Sequence, residues 1–238
     1  MKLDILAFGA HPDDVEISCS GTIVKHVSLG YKVGVVDLTH GEMGTRGTPQ
    51  IRDAEAMASA DIMGVLVREN LEMRDCFFKN DEEHQHKVIR MIRKYQPDVV
   101  LANAIHDRHP DHGKGADLVR DACFYSGLQK LVTVEDGKEQ EPWRPRALYH
   151  YIQDQWIEPE ILIDISDFWE QRMAAVLAFK SQFFDPNSKE PVTYISSPEF
   201  LDTLKFRAQT LGRMIGVKYA ENFTSLRKSG VDYFFQLK

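Results

Sequence analysis

The sequence predicts an α/β fold with an open, mostly parallel sheet, helices on both faces and a C-terminal extension. Short apolar runs alternate with longer segments of helical periodicity over the first two thirds of the chain, a pattern typical of successive strand–helix–strand units. No internal repeat is present, and no linker rich in proline, glycine or serine separates the last third from the rest. We therefore expect residues 1–238 to form a single domain.

The first half of this pattern consists of three strands and two helices. Residues 3–9 and 32–39 are short apolar runs, which predict buried strands. Residues 15–29 carry apolar side chains at every fourth position and predict an amphipathic helix. An alanine-rich helix over 51–63 ends at a glycine, and a weaker strand follows over 65–71.

The second half continues the alternation. Apolar residues at i, i+3, i+4 and i+7 predict a helix over 82–94, which ends before Pro97. The remaining predicted elements are strands over 98–104, 146–152 and 160–165, and helices over 112–125, from Asp167 onward and over 197–215.

The chain is acidic, with 29 Lys and Arg against 36 Asp and Glu and a net charge of -7. Without a run of basic residues it lacks the electrostatic pattern for binding duplex nucleic acid or an anionic membrane, although the mixed charges leave room for a local basic pocket. No apolar run reaches the roughly 20 residues that cross a bilayer, and Asp4 lies where a signal peptide is apolar. The 3 cysteines are far apart and indicate buried thiols of a cytoplasmic protein.

Polar residues concentrate after the first and fourth predicted strands. The first strand is followed by His11, Asp13 and Asp14, and the fourth by His109 and His112. In open α/β sheets, ligands bind beyond the carboxyl ends of the strands where the strand order reverses. In the common order 3-2-1-4-5 that point lies between these two strands, so we expect the two clusters to face each other across one crevice.

Two imidazoles and one carboxylate are the ligand set of a catalytic zinc site, with a fourth position left for water. Two histidines and one aspartate from the clusters can supply that set, which leaves one acid and one histidine beside the metal for proton transfer. Each cluster also has an ordinary explanation, since paired aspartates can begin a helix and His112 can belong to a first helical turn. Their joint occurrence at the expected crevice favours the metal site.

Two other ligand classes fit the sequence less well. A phospho-receiver pocket also has paired acids after its first strand, but it needs a lysine after the fifth strand, where no suitable lysine occurs. A dinucleotide site needs Gly-x-Gly-x-x-Gly after the first strand, whereas residues 9–14 read Gly-Ala-His-Pro-Asp-Asp. Acidic side chains where the pyrophosphate of a dinucleotide would lie argue against an NAD-binding site.

The glycine-rich loop after the second strand forms a third wall of the crevice. It carries Arg46 and is followed by Arg52, and arginine is suited to bidentate recognition of carboxylates or phosphates. An arginine in the first turn of a helix opposes the helix dipole, which favours a functional role for Arg52.

The two motifs together resemble those of the PIG-L-like zinc deacetylases: Ala10-His11-Pro12-Asp13-Asp14 after the first strand, and His109-Pro110-Asp111-His112 after the fourth. The Rossmann-like layout of that family is similar to the fold predicted for the whole chain. The resemblance implies a hydrolase that removes the N-acetyl group from N-acetylglucosamine conjugates. Residues 39–48 and 107–112 look most like the bacillithiol-biosynthesis branch, which acts on N-acetyl-α-D-glucosaminyl L-malate.

The resemblance also implies roles within the two motifs. His11, Asp14 and His112 become the ligands of zinc, or of Fe²⁺, which fits the same ligands. Asp13 becomes the general base, and His109 a donor to the reaction centre.

Roles outside the metal site follow in the same way. Arg52 corresponds to a substrate-binding arginine, and the malate carboxylates fit Arg52, Arg46 or Arg108. Asp111 is expected to orient a histidine, and Tyr194 is a candidate for the tyrosine that some relatives place near the oxyanion.

The resemblance further implies a cytoplasmic enzyme that takes a small N-acetylated amino sugar and assembles as a trimer or hexamer. Two alternatives stay open: a deacetylase of another N-acetylglucosaminide or small amide, and a catalytically silent sugar-binding relative.

Replacing the two adjacent aspartates separates their roles. Asp13→Asn should keep zinc and the fold but lower the deacetylation rate by about 10²–10⁴-fold, because an amide cannot accept a proton from water. Asp14→Asn should weaken zinc binding itself, because a neutral amide is a poor zinc ligand. Zinc content and deacetylation rate, measured on both variants, check this; loss of zinc from Asp13→Asn alone would reverse the assignment.

Overall fold

The computed structural model describes residues 1–236 and confirms the predicted α/β fold: helices pack against a central sheet of 7 strands. The strands, numbered in chain order, are β1 (Ile5–Gly9), β2 (Val33–Thr39), β3 (Val67–Met73), β4 (Val99–Ala102), β5 (Val134–Glu135), β6 (Lys138–Glu139), β7 (Ala147–Tyr151), β8 (Ile161–Asp164) and β9 (Ala220–Ser225). The α-helices are α1 (Asp14–Ser28), α2 (Pro49–Met63), α3 (Glu82–Tyr95), α4 (Pro110–Tyr125), α5 (Trp169–Leu177) and α6 (Pro198–Met214). Strands β5 and β6 form a separate hairpin.

The strand order in the sheet is β3-β2-β1-β4-β7-β9-β8. The first five strands of this order are parallel, and Ile5 of β1 lies opposite Val33 of β2 and Val99 of β4. The predicted order is therefore confirmed for these five. Strand β9 is antiparallel to both neighbours and lies between β7 and β8. The sequence prediction missed this strand.

Helices cover both faces of the sheet with separate apolar clusters. On one face, side chains of α3 and α4 such as Ile92 and Leu118 pack against Phe8 of β1. On the other face, Ile23 of α1 and Met63 of α2 pack in a second cluster with the parallel strands. Because both faces are buried, β1 and β4 at the centre of the sheet are apolar along their whole length, as the sequence pattern predicted.

Two helices, α2 and α4, begin at the carboxyl edge of the sheet, each with a capping side chain and a proline in its first turn. Helix α2 begins with Thr48 as its N-cap, whose hydroxyl accepts the backbone N–H of Ile51. Helix α4 begins with Pro110 in its first turn, and His109 is its N-cap. Proline and a capping side chain are favoured at these positions, since the first backbone N–H groups of a helix have no partner within it.

Helix α1 is interrupted at Cys19, whose φ of -145° and ψ of 16° are not helical. The carboxylate of Glu221 on β9 accepts the backbone N–H groups of Gly21 and Thr22, at 3.0 and 2.7 Å, and so caps the second half of the helix. Arg172 of α5 donates to the same carboxylate at 3.0 Å. The inserted strand β9 thereby holds α1 and α5 in place through one buried charge pair.

The helices and the cysteines bear on two further expectations from the sequence. Among residues 1–236, none of the helices has the length and apolar character to cross a membrane. Cys19 and Cys123 are buried as expected, whereas Cys76 is exposed, so the expectation of a buried thiol is wrong there. Cys76 has a φ of 64° in the turn that follows β3, which directs this part of the chain toward the surface.

A buried charge triad joins α1, β2 and β3. Arg68 donates to both carboxylate oxygens of Asp37, at 2.8 and 3.0 Å, and also to Glu16. The side chains of all three are at most 3% exposed. Glu16 also accepts the hydroxyl of Ser59 at 2.9 Å.

We expect Arg68→Met to lower the free energy of unfolding by about 3–5 kcal/mol, because two buried carboxylates lose their cationic partner. Arg120→Met is the matched control, since Arg120 is 42% exposed in its pairs with Asp117 and Asp121. That change should cost about 1 kcal/mol or less. Urea unfolding of both variants checks this, and equal losses would contradict a stabilising role for the triad.

Candidate metal centre and active site

The two clusters of histidine and aspartate meet at the carboxyl edge of the sheet. The loop after β1 supplies His11, the segment between β4 and α4 ends with His109, and His112 lies in the first turn of α4. The ring centroids of His11 and His109 lie 4.8 Å apart, and those of His11 and His112 lie 5.7 Å apart. Residues separated by about a hundred positions in sequence thus face each other across one crevice, because β1 and β4 are parallel neighbours.

The carboxylate of Asp14 lies between two of these imidazoles. Its Oδ1 is 3.1 Å from Nε2 of His112, and its Oδ2 is 3.5 Å from Nδ1 of His11. Asn103 and Gln153 each donate to this carboxylate at 2.9 Å, which fixes its orientation. Two imidazole nitrogens and one carboxylate converge here, the donor set of a catalytic zinc site.

Two sets of side chains come close enough to share an ion, and neither of them includes Asp14. His11, His109 and His112 offer ligand atoms within 4.8 Å of one another, and so do His11, Asp75 and Asp111. All three sets share His11. The set with Asp14 would offer a metal two imidazole nitrogens, once deprotonated, and one negative charge, and it leaves His109, Asp75 and Asp111 to act around it.

Carboxylates hold each imidazole from the side away from Asp14. Nδ1 of His112 is hydrogen-bonded to Asp107, which also accepts the backbone N–H of Gln155 at 2.7 Å. Nε2 of His11 lies 3.1 Å from Asp75 and 3.4 Å from Asp111. Such contacts fix the ring orientation and the tautomer of a metal-binding histidine. Asp111 therefore lies against His11, where it can orient that imidazole.

The charges around the site favour a cation. Burial alone would lower the pKa of His112, but Asp14 and Asp107 outweigh it and raise the pKa to about 9. Burial opposes ionisation of Asp14, yet His112 and His11 bring its pKa well below the usual value. The carboxylates thus stabilise positive charge between the two loops, which binding of a divalent cation in place of the protons also requires.

Asp13, the predicted general base, is buried beside this set. Burial raises its pKa to about 7, against the opposing charge of Arg52, whose Nη2 lies 3.3 Å from Oδ2. Its backbone has a φ of 113°, a conformation that costs energy for a residue other than glycine. A carboxylate with a pKa near 7 is suited to accept a proton at neutral pH.

His109 combines two roles at the start of α4. As N-cap, its Nδ1 accepts the backbone N–H of Asp111 at 3.3 Å. Burial lowers the pKa of its imidazole, and so do the charges on His11 and His112. In the neutral tautomer that this hydrogen bond favours, Nε2 carries the proton and can donate it.

Arg52, the predicted substrate-binding residue, is buried and bonded to the protein itself. Its guanidinium donates to the carbonyl oxygens of Gly41 at 2.9 Å and Pro12 at 2.6 Å, in addition to Asp13. Gly41 has a φ of 65°, and a Cβ there would lie 1.8 Å from Nη1 of Arg52. The described contacts assign Arg52 to holding Asp13 and joining two loops; substrate binding by Arg52 stays a prediction.

The other arginines of the crevice have different surroundings. Arg46 is buried and donates to Ser188 at 2.9 Å. Arg108 pairs with Asp154 at 2.9 Å and lies over the ring of Tyr194, 4.4 Å from its centroid. Tyr194 donates to the same Asp154 at 2.9 Å. Arg108 and Tyr194 border a cavity of about 130 Å³ that reaches His112.

Apart from Asp111, sequence reasoning missed the side chains that orient the proposed ligands. Asp107 lies five residues before His112, in the loop that leads into α4, and Asp75 follows β3 at the same edge of the sheet. Asn103 directly follows β4, and Gln153 lies two residues after the end of β7. The rule that placed the histidines, residues just beyond the carboxyl ends of parallel strands, would have found these as well.

The chain is similar to a known family and to several known proteins. The model of the family described as PIG-L, GlcNAc-PI de-N-acetylase, matches residues 6–123. Diacetylchitobiose deacetylase of Thermococcus kodakarensis is 30% identical over 91% of this chain and 80% of its own length. The probable N-acetyl-alpha-D-glucosaminyl L-malate deacetylase 2 of Bacillus anthracis is 23% identical over 75% of this chain and 81% of its own. 4-Oxalmesaconate hydratase of Pseudomonas putida is 27% identical over 74% of this chain and 73% of its own.

Solved structures share the fold along almost the whole chain. The conserved protein TT1542 from Thermus thermophilus superposes with a TM-score of 0.85 and 34% identity, covering 98% of this chain and 99% of its own. The N,N'-diacetylchitobiose deacetylase from Pyrococcus horikoshii, complexed with its inhibitor MPG, gives a TM-score of 0.78 and 26% identity, covering 92% of this chain and 82% of its own.

We expect Asp107→Asn to weaken zinc binding by about 10–100-fold, because His112 loses the carboxylate that fixes its ring. Asp117→Asn on the exposed side of α4 is the matched control and should leave the affinity unchanged. Competition with a chelator of known zinc affinity measures both. Equal affinities for the two variants would show that Asp107 does not support a metal ligand.

Proposed function

The chain belongs to the PIG-L family of metal-dependent deacetylases. We propose that it hydrolyses the acetamide of an N-acetylglucosamine conjugate. One observation carries the proposal: Asp14 contacts both His11 and His112, while Asp13 and His109 lie at the same edge. A metal site, a base and a proton donor are the groups that amide hydrolysis requires.

We propose that His11, Asp14 and His112 hold zinc; Fe²⁺ also fits these ligands. When bound, zinc supplies a Lewis acid that lowers the pKa of water and polarises the acetamide carbonyl. Asp107 holds His112, and Asp75 and Asp111 hold His11, so that each ring keeps one nitrogen free for the metal. Asn103 and Gln153 fix the orientation of the Asp14 carboxylate by donating hydrogen bonds to it.

Asp13 acts as the general base. It accepts a proton from the attacking water as the oxygen bonds to the acetamide carbon. Arg52 holds the Asp13 carboxylate in position and ties it to the loop after β2. Burial keeps the pKa of this carboxyl near 7, so it can both take up the proton and give it back.

His109 acts as a donor to the reaction centre. Its Nε2–H is available because Nδ1 is already used at the start of α4. Donation to the developing oxyanion stabilises it. The bond between carbon and nitrogen then breaks, and the amine leaves with the proton that Asp13 took from water. Acetate and the free amino sugar are the products.

For the finer identity of the substrate, we propose N-acetyl-α-D-glucosaminyl L-malate. The motifs quoted above and the Bacillus anthracis relative support it, and Arg108 borders the cavity at His112 where a malate carboxylate can be received. The more similar diacetylchitobiose deacetylase favours a neutral disaccharide instead. Arg108 already pairs with Asp154, so a malate carboxylate would compete with that contact.

The remaining proposals concern the setting of the enzyme. We propose that residues 1–238 act as one domain, that the enzyme works in the cytoplasm, and that it assembles as a trimer or hexamer. The seven-stranded sheet, which includes strands from both ends of the chain, supports the first, and the free cysteines support the second. The resemblance to the PIG-L family supports the third.

A substrate panel tests the function directly. Mass spectrometry should detect acetate release from N-acetyl-α-D-glucosaminyl L-malate faster than from diacetylchitobiose or N-acetylglucosamine, and only with metal present. Asp13→Asn is the control that keeps metal while losing the base. Preference for diacetylchitobiose would overturn the malate substrate alone. Absence of acetate release, with hydration of an unsaturated dicarboxylic acid instead, would favour the chemistry of the Pseudomonas putida relative and overturn the deacetylase.

A further inference from the structure

A large groove lies at the edge of the sheet opposite the metal site. Its walls are the C-terminal half of α4, the beginning of β7 and the segment 225–230 that follows β9. Since β7 is parallel to β4, its first residue Ala147 lies at the amino edge, whereas His109 and His112 follow the carboxyl edge. The groove has a volume of about 680 Å³, within the range of small-ligand sites.

The lining of this groove is strongly basic. Among its fifteen residues there are five cationic side chains and no carboxylate. The cations are Arg120, Arg144, Arg146, Arg227 and Lys228. The chain as a whole has a net charge of -7, so this concentration runs against its overall composition. Cations gathered in one concave surface repel each other and attract anions.

Two of these arginines are free to bind a ligand. Arg120 is engaged by Asp117 and Asp121, and Lys228 pairs with Glu160 at 3.7 Å. Arg144 donates to the carbonyl oxygen of Phe124 at 2.9 Å. Within residues 1–236, by contrast, the guanidinium groups of Arg146 and Arg227 make neither a side-chain hydrogen bond nor an ion pair. Each guanidinium keeps its full set of donors for a bidentate acceptor.

Apolar surface lies beside these charges. Phe124 is 56% exposed and Leu226 is 59% exposed, and both line the groove. The guanidinium of Arg144 lies over the ring of Phe124, 4.3 Å from its centroid. A ligand with several negative charges and a planar or apolar part would use both kinds of surface.

We propose that this groove binds a small anion that carries two or more phosphate groups, held by Arg146 and Arg227. Phosphate is the group that matches paired guanidinium donors, because its oxygens accept two parallel hydrogen bonds from each. The chemistry is shared by inorganic polyphosphates and nucleoside polyphosphates. The apolar wall favours the second, because a nucleoside can cover Phe124 and Leu226.

Isothermal titration of the full-length enzyme with tripolyphosphate and with ATP, at one fixed ionic strength, tests the proposal. We expect saturable binding of both, with ATP the tighter. The variant Arg146→Ala/Arg227→Ala should bind each about tenfold more weakly or worse, since two charge-assisted contacts are lost. Lys205→Ala/Arg213→Ala is the matched control: it removes the same charge from exposed positions of α6 and should bind as the wild type.

A second control separates this groove from the metal, because phosphates also bind zinc. The titration is repeated on His11→Ala, which the proposed function expects to lose its metal. Unchanged binding places the anion at the groove, even if the deacetylase proposal fails. Loss of binding in this variant would place the anion at the metal and overturn the proposed groove site.

Other outcomes also overturn the proposal. Absence of saturable binding to the wild type would overturn it, and so would an equal loss of affinity in the two double variants. A single-stranded oligonucleotide that binds more tightly than ATP would identify a nucleic acid as the partner. A change of oligomeric state in Arg146→Ala/Arg227→Ala, measured by sedimentation, would identify the groove as a contact between copies of this chain.

Discussion

The carboxylate of Asp14, at the start of α1, joins the loop after β1 to the first turn of α4, and the rest of the site is arranged around it. It contacts His112 through one oxygen and His11 through the other. Asn103 and Gln153 tie the same carboxylate to the ends of β4 and β7. His11, Asn103 and Gln153 follow the ends of three neighbouring strands, and His112 lies in the helix after β4. The position of one charged group therefore depends on the register of the sheet.

Buried charges extend from this point into the fold. Glu16 lies on α1, two residues after Asp14, and with Asp37 and Arg68 it fixes the start of that helix against β2 and β3. At the middle of α1, Glu221 caps the interrupted turn and pairs with Arg172. Each pair is buried, so removal of one partner leaves a charge without compensation. The helix that carries Asp14 is therefore held at its beginning and at its middle, which keeps the carboxylate in place against the imidazoles.

Much of the fold could be predicted because the central strands are buried on both faces and are therefore apolar runs. The predicted strand ends and strand order placed five residues at the carboxyl edge: His11, Asp13, Asp14, His109 and His112. Strand β9 escaped prediction because Ala220–Ser225 contains Glu221, Asn222 and Thr224, which read as a surface segment. All three are buried, and Glu221 is compensated by Arg172 and by two backbone N–H groups. Local polarity cannot reveal a partner that lies some fifty residues away, and Asp75, which orients His11, escaped notice for the same reason.

Arg52 illustrates the limit of reasoning from motifs. Its spacing and residue type predict recognition of a substrate anion, yet its guanidinium lies against Asp13 and two backbone carbonyls. The carboxyl that it approaches belongs to the protein. The sequence indicates that an arginine is needed here, and only the three-dimensional contacts identify its neighbours.

The central claim is that His11, Asp14 and His112 together hold the catalytic metal. Crystals of the protein grown with zinc, and an anomalous difference map recorded at the zinc absorption edge, test it most directly. The account predicts one peak at about 2.0–2.2 Å from a nitrogen of His11, a nitrogen of His112 and an oxygen of Asp14. A peak held by His109 in place of Asp14, or by Asp75 and Asp111 with His11, would contradict it.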